Sequence, residues 1–90
     1  MLVVDDNDDI REMFVARLRQ EGFAARGASG GAQALQEIAA ALPSLVLLDI
    51  SMPEMSGLEV LARVRETHGP VQLPVVMVTA LDPTEERIKG

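Results

Sequence analysis

Leu45-Val46-Leu47-Leu48-Asp49 is a run of four apolar residues that stops on an acid. Apolarity that is continuous rather than alternating predicts a strand buried on both faces, as in a parallel sheet covered by helices. Two further runs share this form. Met1-Leu2-Val3-Val4 stops at Asp5-Asp6, and Val75-Val76-Met77-Val78 stops on the hydroxyl of Thr79. As neighbouring strands of one parallel sheet, the three would bring their terminal polar side chains to the carboxyl edge, where open α/β folds bind ligands.

Between the runs lie segments of helical period, the pattern of βαβ units. A first helix is expected after Asn7, a good N-cap, with Asp8 and Asp9 complementing the positive first turn. Its apolar stripe is Ile10, Met13, Phe14 and Leu18, and Gly22 serves as its C-terminal cap. A short, weak strand is expected over Phe23 to Arg26. Ser29 then caps a second helix with the stripe Ala32, Leu35, Ile38, Ala39 and Leu42, which Pro43 stops. After a loop containing Pro53, a third helix begins near Gly57, buries Leu58, Leu61 and Val64, and ends around His68-Gly69-Pro70. Pro83-Thr84-Glu85-Glu86 has the form of the opening turn of a fourth helix. The connections are short and there is no repeat or linker, so residues 1–90 are expected to form one α/β domain.

The composition is that of a globular domain, with 48% hydrophobic residues in 90. Its 14 acids against 8 bases leave a formal charge of −6, which disfavours direct contact with nucleic acid and favours cations and basic protein surfaces. The absence of cysteine rules out disulfides and thiolate metal sites. No secretory leader is visible, and no run approaches the roughly 20 apolar residues of a membrane helix, so a soluble cytoplasmic protein without membrane contact is expected.

Asp5 and Asp6 at one strand end and Asp49 at another would repel one another unless a cation sits among them. Oxygen ligands alone favour Mg²⁺ or Mn²⁺ over zinc, and Mg²⁺ commonly bridges one or two carboxylates to a phosphate. Asp49 is placed to receive a phosphoryl group as an aspartyl phosphate. Thr79 would hydrogen-bond a phosphoryl oxygen, and the small Ala80 beside it would leave access open. Other residues read more plainly. His68 suits a helix C-terminus, the five methionines suit core filling, and Gly27-Ala28-Ser29-Gly30-Gly31 lacks the lysine of a phosphate loop and the full dinucleotide spacing.

Val3-Val4-Asp5-Asp6, Leu48-Asp49-Ile50-Ser51-Met52-Pro53-Glu54-Met55-Ser56-Gly57 and Val78-Thr79-Ala80 together resemble the receiver domain of two-component response regulators in order, spacing and flanking apolarity. The resemblance implies a flavodoxin-like, doubly wound parallel sheet of strand order 2-1-3-4-(5). It implies that Asp49 takes a phosphoryl group from a histidine kinase or phosphotransfer protein, and that Asp5, Asp6, Asp49 and the backbone carbonyl of Ser51 hold Mg²⁺ or Mn²⁺, Asp5 mainly through water. Thr79 would then move toward the phosphoryl group and switch a surface that controls an output domain or effector. Self-phosphorylation and slow self-dephosphorylation are the only chemistry implied. Ser51 and Leu81 would flank the approach of water, and since neither is acidic or amide-bearing, a long-lived phosphoform is expected.

The resemblance stops before the family's fifth strand and its lysine; the only lysine here is Lys89, in the expected fourth helix. The last βα unit is therefore expected to be absent from this chain, with a longer protein as the explanation, or a dimer formed by strand exchange. Two rival functions stand beside this one. A Mg²⁺-dependent phosphohydrolase with an aspartyl-phosphate intermediate would need a second acid where Ser51 stands, and an inactive receiver-like interaction module is disfavoured by the intact Asp5, Asp6, Asp49 and Thr79.

Overall fold

A computed structural model describes residues 1–52 and 54–78. Pro53, Thr79, Ala80, Leu81, the helix expected from Pro83 and Lys89 lie outside the described residues. The elements follow one another as β1 (Leu2–Val4), α1 (Asp8–Gln20), β2 (Arg26–Ala28), α2 (Gly31–Ala40), β3 (Val46–Asp49), α3 (Gly57–Thr67) and β4 (Val75–Val78). All pairings are parallel and the sheet order is β2-β1-β3-β4. The topological switch point thus lies at β1 and β3, the two strands that end in acids.

Strand side chains alternate between the two faces of the sheet. Leu2, Val4, Val46 and Leu48 are fully buried in one cluster with Ala34 and Ile38 of α2, Val60 and Val64 of α3, and Leu73. Val3 and Leu47, on the opposite face, line a small void with Phe14 of α1. Burying a Val or Leu side chain contributes about 1.5–3 kcal/mol, so β1 and β3 anchor the sheet. Helix α1 is more loosely seated. None of its residues is fully buried, and Met13, assigned to its apolar stripe, is 60% exposed.

The ends of α1 match the sequence closely. The Asn7 side chain accepts from the Ile10 amide, and Asp8 and Asp9 occupy the first turn. At the other end Gly22 has φ +94°, its amide donates to the Arg19 carbonyl, and the Phe23 amide donates to Leu18. This paired closure needs a left-handed residue, which glycine supplies without strain.

Four expectations need correction. The weak strand lies at Arg26–Ala28 and not at Phe23 to Arg26, because the Phe23 amide is committed to closing α1 and the ladder begins where Leu2 pairs with Arg26. Ser29 does not cap α2. Gly30 is the N-cap, and both the amide and the hydroxyl of Ser29 donate to the Gln33 side-chain oxygen at 2.8 Å. The buried stripe of α2 is Gly31, Ala34 and Ile38, with Leu35 partly buried, while Ala32, Ala39 and Leu42 are exposed. Close packing decides this orientation, since a β-carbon on Gly31 would come within 2.8 Å of both Met55 Sδ and Val60 Cγ2. In α3 the buried residues are Gly57, Val60 and Val64, and Leu58 is 61% exposed, because Gly57 must face the end of β3.

Candidate functional site

Strands β1 and β3 are adjacent and in register, Val4 beside Leu48, so the residues that follow them emerge side by side. Asp5, Asp6 and Asp49 each place a carboxylate oxygen within 4.8 Å of the other two. Asp5 and Asp49 are buried, 7% and 4% exposed, and Asp6 faces solvent. A concentration of negative charge is therefore built against the sheet edge, open on the side of Asp6.

Local hydrogen bonds orient two of the three acids. Asp5 Oδ1 accepts the Asn7 amide at 2.9 Å, and Asp49 Oδ1 accepts the Ser51 amide at 3.2 Å. Burial raises the pKa of Asp49 above the usual carboxylate value of 3.8. The Ser51 amide opposes that rise, while the charges of Asp5 and Asp6 and a hydrogen bond shared with Asp5 add to it. A positive ion among the three oxygens would remove the conflict.

The donor set suits such an ion. In Mg²⁺ sites the oxygens lie about 2.0–2.1 Å from the metal, so two on opposite sides are roughly 4 Å apart. Carboxylates already gathered within 4.8 Å need little movement to meet that demand. Among the described residues no nitrogen or sulfur ligand belongs to the cluster, and its three carboxylates favour a hard cation.

Of the residues predicted from sequence, Asp5, Asp6 and Asp49 converge, and Ser51 stands next to them with its amide turned onto Asp49. Thr79 and Ala80 lie outside the described residues. Two contributors escaped the sequence. Gly57 lies against the Asp49 main chain, which no local pattern reveals. Arg11 donates to the Asp5 carbonyl oxygen at 2.9 Å and to Asp8 Oδ1 at 2.6 Å. Its spacing of three from Asp8 on a helix was a usable signal for the ion pair, but not for the bond to Asp5. Beside Asp6 a cleft of about 530 Å³ opens between the start of α2 and the loop after β3, lined in part by Gly31, Met52, Glu54 and Met55.

Comparison with known proteins bears on this arrangement. The response regulator receiver domain family matches residues 1–90. A curated relative named "Probable transcriptional regulatory protein TcrX", from Mycobacterium tuberculosis, is 42% identical over 91 residues. Response regulator MprA of Mycolicibacterium vanbaalenii is 39% identical over 90 residues. The chain is covered completely in both alignments but spans only 38% of each relative's length. Among solved structures, the N-terminal domain of a response regulator receiver protein from Methanoculleus marisnigri superposes with a TM-score of 0.82 at 40% identity, covering 99% of this chain and 74% of that one. Response regulator TrrA of Thermotoga maritima, solved in complex with Mg²⁺-BeF, gives 0.82 at 35% identity, covering 94% of this chain and 72% of that one.

Proposed function

Because this chain belongs to the response regulator receiver domain family, we propose that it is a phosphorylation-controlled switch in which Asp49 accepts the phosphoryl group. The observation that carries this is the meeting of three carboxylates from two strand ends, with Asp49 the most deeply buried of them and at the end of a central strand. An oxygen of the Asp49 carboxylate attacks phosphorus, the bond from phosphorus to the donor's nitrogen breaks, and the electron pair leaves with the imidazole of a phosphohistidine. The donor would be a histidine kinase or a phosphotransfer protein.

Asp5, Asp6, Asp49 and the Ser51 carbonyl would hold Mg²⁺, or Mn²⁺, as sequence resemblance implies. The bound metal supplies neutralisation of the charge that builds on the transferring oxygens. The chain's own residues do the positioning. The Ser51 amide holds one oxygen of Asp49, and the sheet excludes water behind it. Thr79, next in sequence after β4, would donate its hydroxyl to the phosphoryl group beside the unobstructive Ala80. The complex of TrrA with Mg²⁺ and BeF supports this reading, since beryllium fluoride has the shape and charge of a phosphoryl group.

The result is a changed surface rather than a turned-over substrate, with slow self-dephosphorylation as the reset. A phosphoryl group adds about −1.5 to −2 charges at the sheet edge, and an output domain or effector would read the change. One relative is named a probable transcriptional regulatory protein, which supports transcription as the output; a cytoplasmic location is part of the same proposal. Among the described residues no helix is long and apolar enough to cross a membrane. The deciding experiment is incubation with acetyl phosphate, with and without Mg²⁺, followed by intact mass. One phosphoryl group should appear only with Mg²⁺ and should be lost in Asp49→Asn. Undiminished uptake by that variant would refute Asp49 as the acceptor.

A further inference from the structure

Arg11 links the acid-bearing loop after β1 to α1, to which it belongs, and packs over β2. Its guanidinium is forked: Nη1 donates to the Asp5 carbonyl oxygen at 2.9 Å and Nη2 to Asp8 Oδ1 at 2.6 Å. Its stem lies over β2, close enough that a β-carbon on Gly27 would come within 2.9 Å of Arg11 Cδ. The side chain is only 17% exposed although it belongs to the loosely packed α1. Asp6 lies between the two residues that the fork grips, and it is the one member of the acid cluster that is exposed.

We infer that Arg11 is a positioning residue for the cation site, tying the Asp5 main chain directly, and the Asp8 side chain at the start of α1, to one guanidinium, so that the Asp6 carboxylate between them stays beside Asp5 and Asp49. The inference rests on the proposed metal-binding role of the three acids. A loop carrying two adjacent acids and no buried side chain beyond Asp5 would otherwise drift under mutual repulsion. Two charge-assisted bonds in a rigid fork oppose that drift, and a lysine cannot reproduce them.

Charge and geometry make opposite demands, which gives the test its sign. Removing a cation near the acids strengthens the field that attracts a metal, so charge alone predicts tighter binding in Arg11→Ala and no change in Arg11→Lys. Positioning predicts weaker binding in both, by about tenfold, the scale on which partners of metal ligands act. The experiment is calorimetric titration of the whole chain with Mg²⁺ alone, for wild type, Arg11→Ala and Arg11→Lys. Amide hydrogen exchange is followed in parallel on metal-free protein. The Asn7 amide, bonded to Asp5 Oδ1, should exchange faster in both variants while amides of β3 keep their protection.

If Arg11→Ala does not fold, Arg11→Lys carries the test, since it retains the charge and most of the stem. Tighter binding in Arg11→Ala with Arg11→Lys unchanged overturns the inference in favour of a charge effect. Variants that bind Mg²⁺ like a competent wild type, with lower thermal stability only, reduce Arg11 to a structural brace and also overturn it. A wild type that binds no Mg²⁺ overturns the reading of the site itself, and the role of Arg11 with it.

Discussion

The main-chain oxygen of Asp49 occupies the space that a β-carbon on Gly57 would need. The Gly57 amide also donates to the Ile50 carbonyl at 2.9 Å. The first turn of α3 is thereby seated directly on the backbone that delivers Asp49. The placement of a helix and the placement of the Asp49 carboxylate become one geometric fact.

Gly57→Ala is accordingly expected to destabilise the fold by about 1–3 kcal/mol, the usual cost of forcing a methyl into filled space. Because the obstacle is backbone, relief requires moving β3 or α3, and phosphoryl uptake by the folded variant should slow as well. Urea denaturation gives the first quantity and single-turnover labelling with acetyl phosphate the second. An alanine variant as stable and as reactive as wild type would show that the contact relaxes without consequence.

Asp49 makes stability depend on pH. Burial, with Asp5 and Asp6 adding to it, raises its native pKa above 3.8, so the folded protein holds this proton more tightly than the unfolded chain. Its contribution to stability is full below pH 3.8 and is lost as pH rises from there through the native value. Asp49→Asn removes the ionisation and is expected to raise the melting temperature of metal-free protein at pH 7. A domain of this size moves about 4–8 °C per kcal/mol. The advantage should shrink steadily as pH is lowered toward the ordinary carboxylate range, which calorimetric scans across pH would reveal.

Magnesium should stabilise the native protein, since the gathered carboxylates exist only in the fold. At a hundredfold excess over its dissociation constant a specific ligand adds about 2.7 kcal/mol. Thermal melts with MgCl₂ against NaCl of equal ionic strength separate binding from screening. Asp6→Asn should abolish most of the difference while raising the metal-free melt slightly, because its charge adds to the repulsion on Asp49 but Asp6 itself is exposed.

Arg26 offers a control away from the acids. Its guanidinium donates to the carbonyl oxygens of Glu37 at 3.2 Å and Ala41 at 2.6 Å, closing the C-terminus of α2. Arg26→Ala is expected to cost about 1 kcal/mol, in line with a partly exposed charged hydrogen bond, and to leave Mg²⁺ affinity unchanged. Loss of Mg²⁺ affinity in this variant would mean that the acid site is coupled to the whole fold rather than held locally.

Much of this protein was legible in its residue order. Continuous apolar runs identified β1, β3 and β4. In β1 and β3 burial leaves no room for polar alternation, whereas no residue of β4 is buried and Val76 is 46% exposed, so the burial expected for that strand on both faces is not seen. Asn7 and Gly22 marked the ends of α1 because capping is a local event, set by one side-chain oxygen and one left-handed residue. Asp5, Asp6 and Asp49 were found for the same reason, as polar residues stationed where buried strands stop.

Features that depend on residues distant in sequence were not legible. The position of β2 was decided by pairing with Leu2, and a strand reading that favours bulky residues stops before Gly27. The buried faces of α2 and α3 were decided by close approach at Gly31 and Gly57, where the smallest residues sit inside and Leu58 is left outside. Hydrophobic counting misplaces such faces, since contact distance rather than residue polarity selects them. The reach of Arg11 from α1 back to the Asp5 carbonyl belongs to the same class. Strand, cap and acid are written in short stretches because their physics is local; the packing that holds the acids together exists only once the chain has folded back on itself.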